Sequence, residues 1–145
     1  MVEVEIRGKK FPLCLTVAAL DKINAKCGGL GNISAFLDGN EPSYMLHPEQ
    51  AAQSKKGNTG KALCNTAWML GLLIQEGEEN RLVCAKLDGE QAERRNVLDT
   101  EAITHMLTVA SAQKYRLSVF QAVNESMKQE IEAVYPKNGN DAEQV

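Results

Sequence analysis

The chain of 145 residues contains 43% hydrophobic and 24% charged residues, which is the composition of an ordinary globular domain and not of a disordered chain. Its 16 Lys and Arg against 19 Asp and Glu give a net charge of -3, whereas domains that bind nucleic acid usually carry a basic surface. The longest apolar stretch runs from Ala67 to Ile74 and is too short to cross a membrane. We therefore expect one domain that binds neither nucleic acid nor a membrane.

The first fifteen residues alternate apolar and polar side chains, which is typical of strands with one buried face. Two alternating runs, residues 2–7 and 11–15, flank the turn sequence Gly8-Lys9-Lys10. Residues 2–15 are therefore predicted to form a β-hairpin. Pro12 cannot donate a hydrogen bond to a neighbouring strand, and we expect it to face an open edge.

The first predicted helix follows this hairpin directly. Thr16 is a favourable N-cap residue, and the glycine pair Gly28-Gly29 is a stop signal. Apolar residues recur between them at helical spacing. They are Val17, Leu20, Ile23 and Cys27.

Four more segments have the apolar spacing of helices. They span residues 33–37, residue 60 into the 70s, residues 100–107 and residues 111–135. Asp99 is predicted to cap the helix at 100–107, and Pro136 ends the last one. The helix that begins at residue 60 is apolar on nearly all sides, so we predict that it is the buried central element.

This central helix is expected to return to water where its charged residues begin. Glu76, Glu78 and Glu79 follow its apolar part, and we interpret them as a solvated helix end rather than as an acid–base pair or a cation site. A continuation of the helix through Val83 stays open.

Together these elements predict a mainly α fold with a small N-terminal β-hairpin, an α+β class in which a compact helical domain ends in a long helix. A single domain should occupy residues 1–136, followed by a disordered polar tail at 137–145. Residues 40–60 are predicted to form a long loop that is either mobile or functional, with one helical turn at 49–53 as an option.

No motif predicts a cofactor or a metal ion. Residues 57–62 are similar to a phosphate-binding loop, but Lys55 stands where its first glycine belongs and Ala62 where its Ser or Thr belongs. The four cysteines are too widely separated for a paired zinc motif. Nothing in the sequence assembles a nucleophile, a base and an oxyanion donor, so we predict a protein that is not an enzyme.

The cysteines are interpreted as structural thiols. We expect no secretory signal at the acidic N-terminus, which leaves the chain in a reducing cytoplasm. Cys14, Cys27 and Cys64 lie in apolar patterns typical of small core residues. Pairing of a cysteine with His47 or His105 stays open on sequence alone, although both histidines are expected at the surface.

The last predicted helix has two adjoining apolar stripes. The first contains Leu117, Phe120, Val123, Met127, Ile131 and Val134, and the second contains Tyr115, Val119 and Ala122. Any part that the core does not cover would be a surface for self-association, as in a homo-oligomer, or for a helical partner. The candidate partner-binding residues are Tyr115, Val119, Phe120, Val123, Met127 and Trp68, with core packing as the alternative for each.

Several stretches together carry a family resemblance. They read VEVEIRGKKFPL (2–13), TVAALD (16–21) leading to CGG (27–29), NTAWML (65–70), EGEENRL (76–82), and YRL (115–117) through EAVYP (132–136). Over most of its length, with the exception of residues 40–60, the chain resembles tail assembly chaperones of long-tailed phages and prophages of Gram-positive bacteria.

The resemblance implies a non-enzymatic protein that acts in the host cytoplasm. Such a protein would bind the long helical tape measure protein and help the tail tube protein to assemble around it, without remaining in the virion. The resemblance implies no catalytic residue and no cofactor. The residues alone leave open a small cytoplasmic adaptor or regulatory domain that binds a partner helix, and, as a third class, a thiol-dependent or ligand-binding enzyme.

Overall fold

The computed structural model describes the backbone of residues 1–40 and 59–134, and the side chains of residues 1–40 and 59–128. The predicted loop at 40–60 with its helical turn, and the predicted tail at 137–145, lie almost entirely outside these residues. The fold is mainly helical with one N-terminal antiparallel hairpin, as predicted. In chain order the elements are β1 (Glu3–Ile6), β2 (Lys9–Pro12), a 3-10 turn (Val17–Ala19), α1 (Leu20–Cys27), a second 3-10 turn (Leu30–Asn32), α2 (Ile33–Leu37), α3 (Thr59–Leu87), α4 (Thr100–Met106) and α5 (Val109–Val134).

The hairpin turn consists of two residues with positive φ. Arg7 has φ 53° and Gly8 has φ 81°, and Ile6 pairs with Lys9 directly across them. This backbone is the one that a two-residue type I′ turn requires. The predicted turn at Gly8-Lys9-Lys10 was therefore wrong by one residue, because Lys9 already belongs to β2.

The hairpin packs on α3 through a close backbone contact. A Cβ atom added to Gly77 would lie 1.9 Å from the carbonyl oxygen of Pro12, so only glycine permits this approach. The Cys14 amide also donates to the Leu73 carbonyl at 3.2 Å. The expectation that Pro12 faces an open edge was wrong, because α3 covers it.

The opposite side of the hairpin is held by α5. The Tyr115 hydroxyl donates to the Glu5 carbonyl at 2.6 Å, and the Glu125 carboxylate accepts a hydrogen bond from the Val2 amide at 3.1 Å. These two main-chain groups, one in β1 and one just before it, thus have hydrogen-bond partners within the protein. Without α5 they would have to bind water.

Helix α3 is the central element, as predicted, but it is longer and more deeply buried than predicted. It runs for 29 residues, and every residue from Met69 to Ile74 is buried. A Cβ atom added to Gly71 would lie 2.9 Å from the Thr100 Cα atom, which indicates a close crossing of α3 and α4. The Asp99 side chain accepts from the Ala102 amide at 2.7 Å and caps α4, which confirms its predicted role.

Helix α5 buries the second of its two predicted stripes. Among residues 109–128, whose side chains the structure describes, the buried ones are Ala112, Val119, Ala122 and Val123. Leu117 of the first stripe is 66% exposed, and Met127 is 41% exposed. The first stripe is therefore not the core face as a whole, although Val123 at the border of the two stripes is buried.

Candidate interaction surface

The structure separates the six predicted partner-binding residues into core and surface. Val119 is 0% and Val123 is 6% exposed, so these two belong to the core. They are unavailable to a partner, which corrects the prediction for both. Tyr115 and Phe120 are half-buried against the same core, and Met127 is the member with the most exposed side chain.

Trp68 lies on a different side of α3 from the hairpin. Its ring packs edge-to-face on Phe36 of α2, with a centroid distance of 5.7 Å and an interplanar angle of 81°. The Lys26 Nζ atom of α1 lies 5.4 Å from the centre of the same ring. These contacts make Trp68 part of the packing of α1 and α2 on α3.

Met127 belongs to an exposed apolar surface that α5 shares with the segments around α1. We call this surface the α1–α5 patch and define it by Leu15, Val17, Leu20, Leu30 and Met127. These residues line a shallow groove of about 120 Å³ together with Thr16 and Ser126. Val17 is 75% and Leu30 is 39% exposed.

Local backbone geometry brings the α1–α5 patch together. Gly28, with φ 89°, ends α1 in the left-handed conformation, and Gly29 follows with φ 124°. These glycines lead the chain into the second 3-10 turn, where Leu30 stands at the first position. On the other side of the groove the Leu15 amide donates to the Ser126 hydroxyl at 3.1 Å. This hydrogen bond holds the segment that leads into α1 against α5.

Val17 is a surface residue that helical spacing did not reveal. The residue opens a 3-10 turn, and the α-helix begins only at Leu20. A 3-10 turn has about 3.0 residues per turn rather than 3.6, so Val17 is rotated away from the buried face that contains Ile23 and Cys27. The Thr16 hydroxyl does not cap this turn. It donates instead to the Glu76 carboxylate at 2.5 Å.

The charged part of α3 is not a solvated helix end, which corrects the prediction for Glu76 and Glu78. The Glu78 side chain is 1% exposed and accepts hydrogen bonds from the Arg81 Nη2 atom at 2.6 Å and the Arg95 amide at 2.7 Å. The Arg81 guanidinium, more than any other group, lowers the pKa of Glu78 to about 2. A carboxylate with this pKa stays ionised near neutral pH and is unsuited to acid–base catalysis there.

The Glu78 cluster, formed by Glu78, Arg81 and Arg95, attaches the connector between α3 and α4 (residues 88–99) to the rest of the domain. Arg81 also donates to the Glu93 carbonyl at 2.7 Å, and Arg95 donates to the Lys10 carbonyl of β2 at 2.9 Å. The cluster therefore joins α3, the connector and the hairpin. Its role is structural.

The cysteines do not provide a reactive thiol in the core. Cys27 is buried and Cys14 is half-buried, and burial raises the pKa of both thiols, which disfavours the reactive thiolate. Cys64 is exposed on α3, so its predicted place in the core was wrong, and Cys84 is exposed as well. His105 is exposed on α4, whereas His47 lies outside the described residues.

Within residues 1–40 and 59–134, no group of three or more His, Cys, Asp and Glu side chains is placed to hold a metal ion. No helix in this part of the chain is long and apolar enough to span a membrane. Comparison with protein-family models, with curated proteins and with solved structures finds no significant match to this chain.

Proposed function

We propose that this protein is a non-enzymatic tail assembly chaperone of a long-tailed phage or prophage of a Gram-positive host. It binds the helical tape measure protein in the host cytoplasm and assists assembly of the tail tube protein around it. The α1–α5 patch is the surface that binds the client. The family resemblance of the sequence supports the activity, and the exposure of this patch supports the surface.

The patch suits a helical client because of its shape and chemistry. Val17, Leu30 and Met127 project apolar side chains around a shallow groove, and all three are substantially exposed. An amphipathic helix presents apolar side chains at spacings of three and four, which a groove between two helical segments can accept. Burial of these side chains against a client would remove apolar area from water, at roughly 25 cal/mol per Å².

Charge substitutions test this surface, with a matched control on the same helix. Met127→Asp and Val17→Asp should leave the circular dichroism spectrum unchanged, because both side chains are exposed, and should abolish capture of the tape measure protein in co-expression. Leu117→Asp is the control, since Leu117 is on α5 and 66% exposed but does not line the groove. It should bind the client like the unsubstituted protein.

Two further variants separate a binding defect from a folding defect. Val119→Asp and Val123→Asp place a charge in the core, so they should unfold the domain and lose binding for that reason. Equal binding by the Met127→Asp and Leu117→Asp variants would reject the α1–α5 patch as the client surface.

The activity itself is tested in the phage. Deletion of the gene should prevent tail formation, as seen by electron microscopy of lysates, and expression of the protein in trans should restore it. Normal tails without the gene would reject the chaperone function. Binding of a host helix at the patch, with normal tails, would favour the adaptor or regulatory domain instead.

A further inference from the structure

A second concave surface shares no lining residue with the α1–α5 patch. It is a cleft of about 470 Å³ between the hairpin, α4 and the connector that precedes α4. Its floor consists of the buried side chains Ile6, Ile74 and Ile103. Phe11 and Met106 are half-buried and form walls. The cleft is thus an apolar depression that opens from the core to the surface.

The rim of this cleft is positively charged. Arg7 and Lys9 are exposed rim residues, and no acidic residue is among the described residues that line the cleft. Among the described residues, neither cation forms an ion pair. The nearby Arg95 guanidinium lies 5.3 Å from the centre of the Phe11 ring, but it is already engaged by the Glu78 carboxylate and the Lys10 carbonyl. Arg7 and Lys9 are therefore the charges that an anionic group at the rim would meet.

The backbone at Arg7 gives an independent reason to ask what its side chain does. With φ 53°, Arg7 occupies the left-handed region, where a type I′ turn favours Asn, Asp or Gly. A long cationic side chain at this position gains nothing for the turn itself. Residues held against local preference are enriched at functional sites, and this one stands at the edge of a cleft.

We propose that the cleft binds an acidic amphipathic segment of a partner protein. A large apolar side chain of that segment occupies the depression, and a carboxylate beside it pairs with Arg7 and Lys9. The exposed rim favours a side chain that projects from a longer chain, since enclosed pockets for small molecules bury most of the ligand. Leu98, a lining residue that is 45% exposed, then packs on the bound segment.

The test uses two fluorescent synthetic peptides with the same leucine and phenylalanine positions, one flanked by glutamates and the other by lysines. Fluorescence anisotropy on the full chain should show that the glutamate peptide binds roughly tenfold more tightly than the lysine peptide at low salt. Binding of the glutamate peptide should weaken as sodium chloride is added, because the rim charges are exposed to solvent.

Substitutions at the rim and in the cleft locate the site. The double variant Arg7→Asn/Lys9→Glu should lower the affinity for the glutamate peptide by roughly fivefold to tenfold, and Leu98→Ala should lower it as well. Lys22→Glu is the matched control, since Lys22 is exposed on α1, which does not line the cleft. Met127→Asp should also leave this binding intact, so failure here is distinguishable from failure of the proposed function.

Four outcomes would overturn the proposal. They are equal binding of the two peptides, absence of binding by either, equal loss of affinity in the Lys22→Glu control, and saturable binding of sodium decanoate in the cleft without binding of the glutamate peptide. The last result would assign the cleft to a small amphiphilic carboxylate.

Discussion

Two stretches of α3 are buried by different physical means. From Met69 to Ile74 the helix is surrounded by apolar side chains of the core. One turn later, Glu76, Gly77 and Glu78 are also buried, but there a hydroxyl, a close backbone contact and two guanidinium groups surround them. Many apolar contacts together bury the first stretch. Burial of the second stretch depends on a few specific contacts, so we expect its stability to be more sensitive to a change in the shape or charge of a single side chain.

The largest effect is expected where the hairpin approaches the second stretch most closely. Gly77→Ala should lower the free energy of unfolding by about 3–5 kcal/mol, because the added Cβ atom would meet the rigid backbone of Pro12. Chemical denaturation measures the change. Gly31→Ala is the control, since no atom of the described residues lies within 4 Å of the Cβ position there, and it should be nearly neutral. Similar values for the two variants would contradict the close contact.

A cavity in the first stretch should cost somewhat less. Leu73 is fully buried, and Leu73→Ala should lower the free energy of unfolding by about 3 kcal/mol through lost apolar contacts and an unfilled cavity. Urea denaturation should show a lower midpoint with an unchanged slope. A loss below about 1 kcal/mol would mean that the core around α3 is not packed as described.

Removal of the Glu78 charge should lower the stability of the protein less than the cavity in Leu73→Ala does. Glu78→Gln keeps the shape but removes the charge that Arg81 and Arg95 surround, so we expect a loss of about 2 kcal/mol. Glu79→Gln is the control, because the ion pair of Glu79 with Arg94 is exposed and should contribute little to stability. Equal effects would show that burial of Glu78 does not matter.

The stability difference between the unsubstituted protein and Glu78→Gln should also depend on pH. The pKa of Glu78 is lowered from 4.5 to about 2 in the folded protein, so its stabilising contribution is fully present above pH 4.5 and is lost as the pH falls through about 2. The difference in stability between the unsubstituted protein and Glu78→Gln should therefore be constant above pH 4.5 and shrink below it. A difference that stays constant down to pH 2 would contradict the lowered pKa.

The smallest effect is a gain of stability in the hairpin. Arg7→Asn should raise the free energy of unfolding by about 0.5–1 kcal/mol, because asparagine tolerates the left-handed backbone better than arginine does. Thermal unfolding followed by circular dichroism would detect this as a higher midpoint. A destabilised Arg7→Asn variant would mean that the arginine side chain supports the fold.

The contrast within α3 also explains what the sequence could and could not predict. Apolar spacing predicted the bounds of α2 and the burial of the first stretch, because that signal lies within each segment. Burial of Glu78 left no distinctive signal in the sequence. Arg81, three positions on, forms a pair with Glu78 that is equally typical of a solvated helix face, and Arg95, 17 positions away in the chain, contacts Glu78 only after the connector folds back. A run of acidic residues was therefore interpreted as solvated.

The proposed interaction surface was predicted only in part for a similar reason. Apolar spacing alone does not show which of the two adjoining stripes on α5 faces α3. The buried residues Val119 and Val123 were therefore grouped with the exposed residue Met127 as partner-binding candidates. Val17 and Leu30 were missed, because both stand at 3-10 turns, where helical spacing no longer reports which side chains are buried.

The direct test of the α1–α5 patch is hydrogen–deuterium exchange of the protein with and without the proposed partner, the tape measure protein. We expect slower exchange in the complex at residues 15–20, 28–32 and 124–128, which surround the α1–α5 patch, with little change around Leu117. Unchanged exchange in these three segments, with protection elsewhere in a complex of proven stoichiometry, would contradict the assignment of the patch as the client-binding surface.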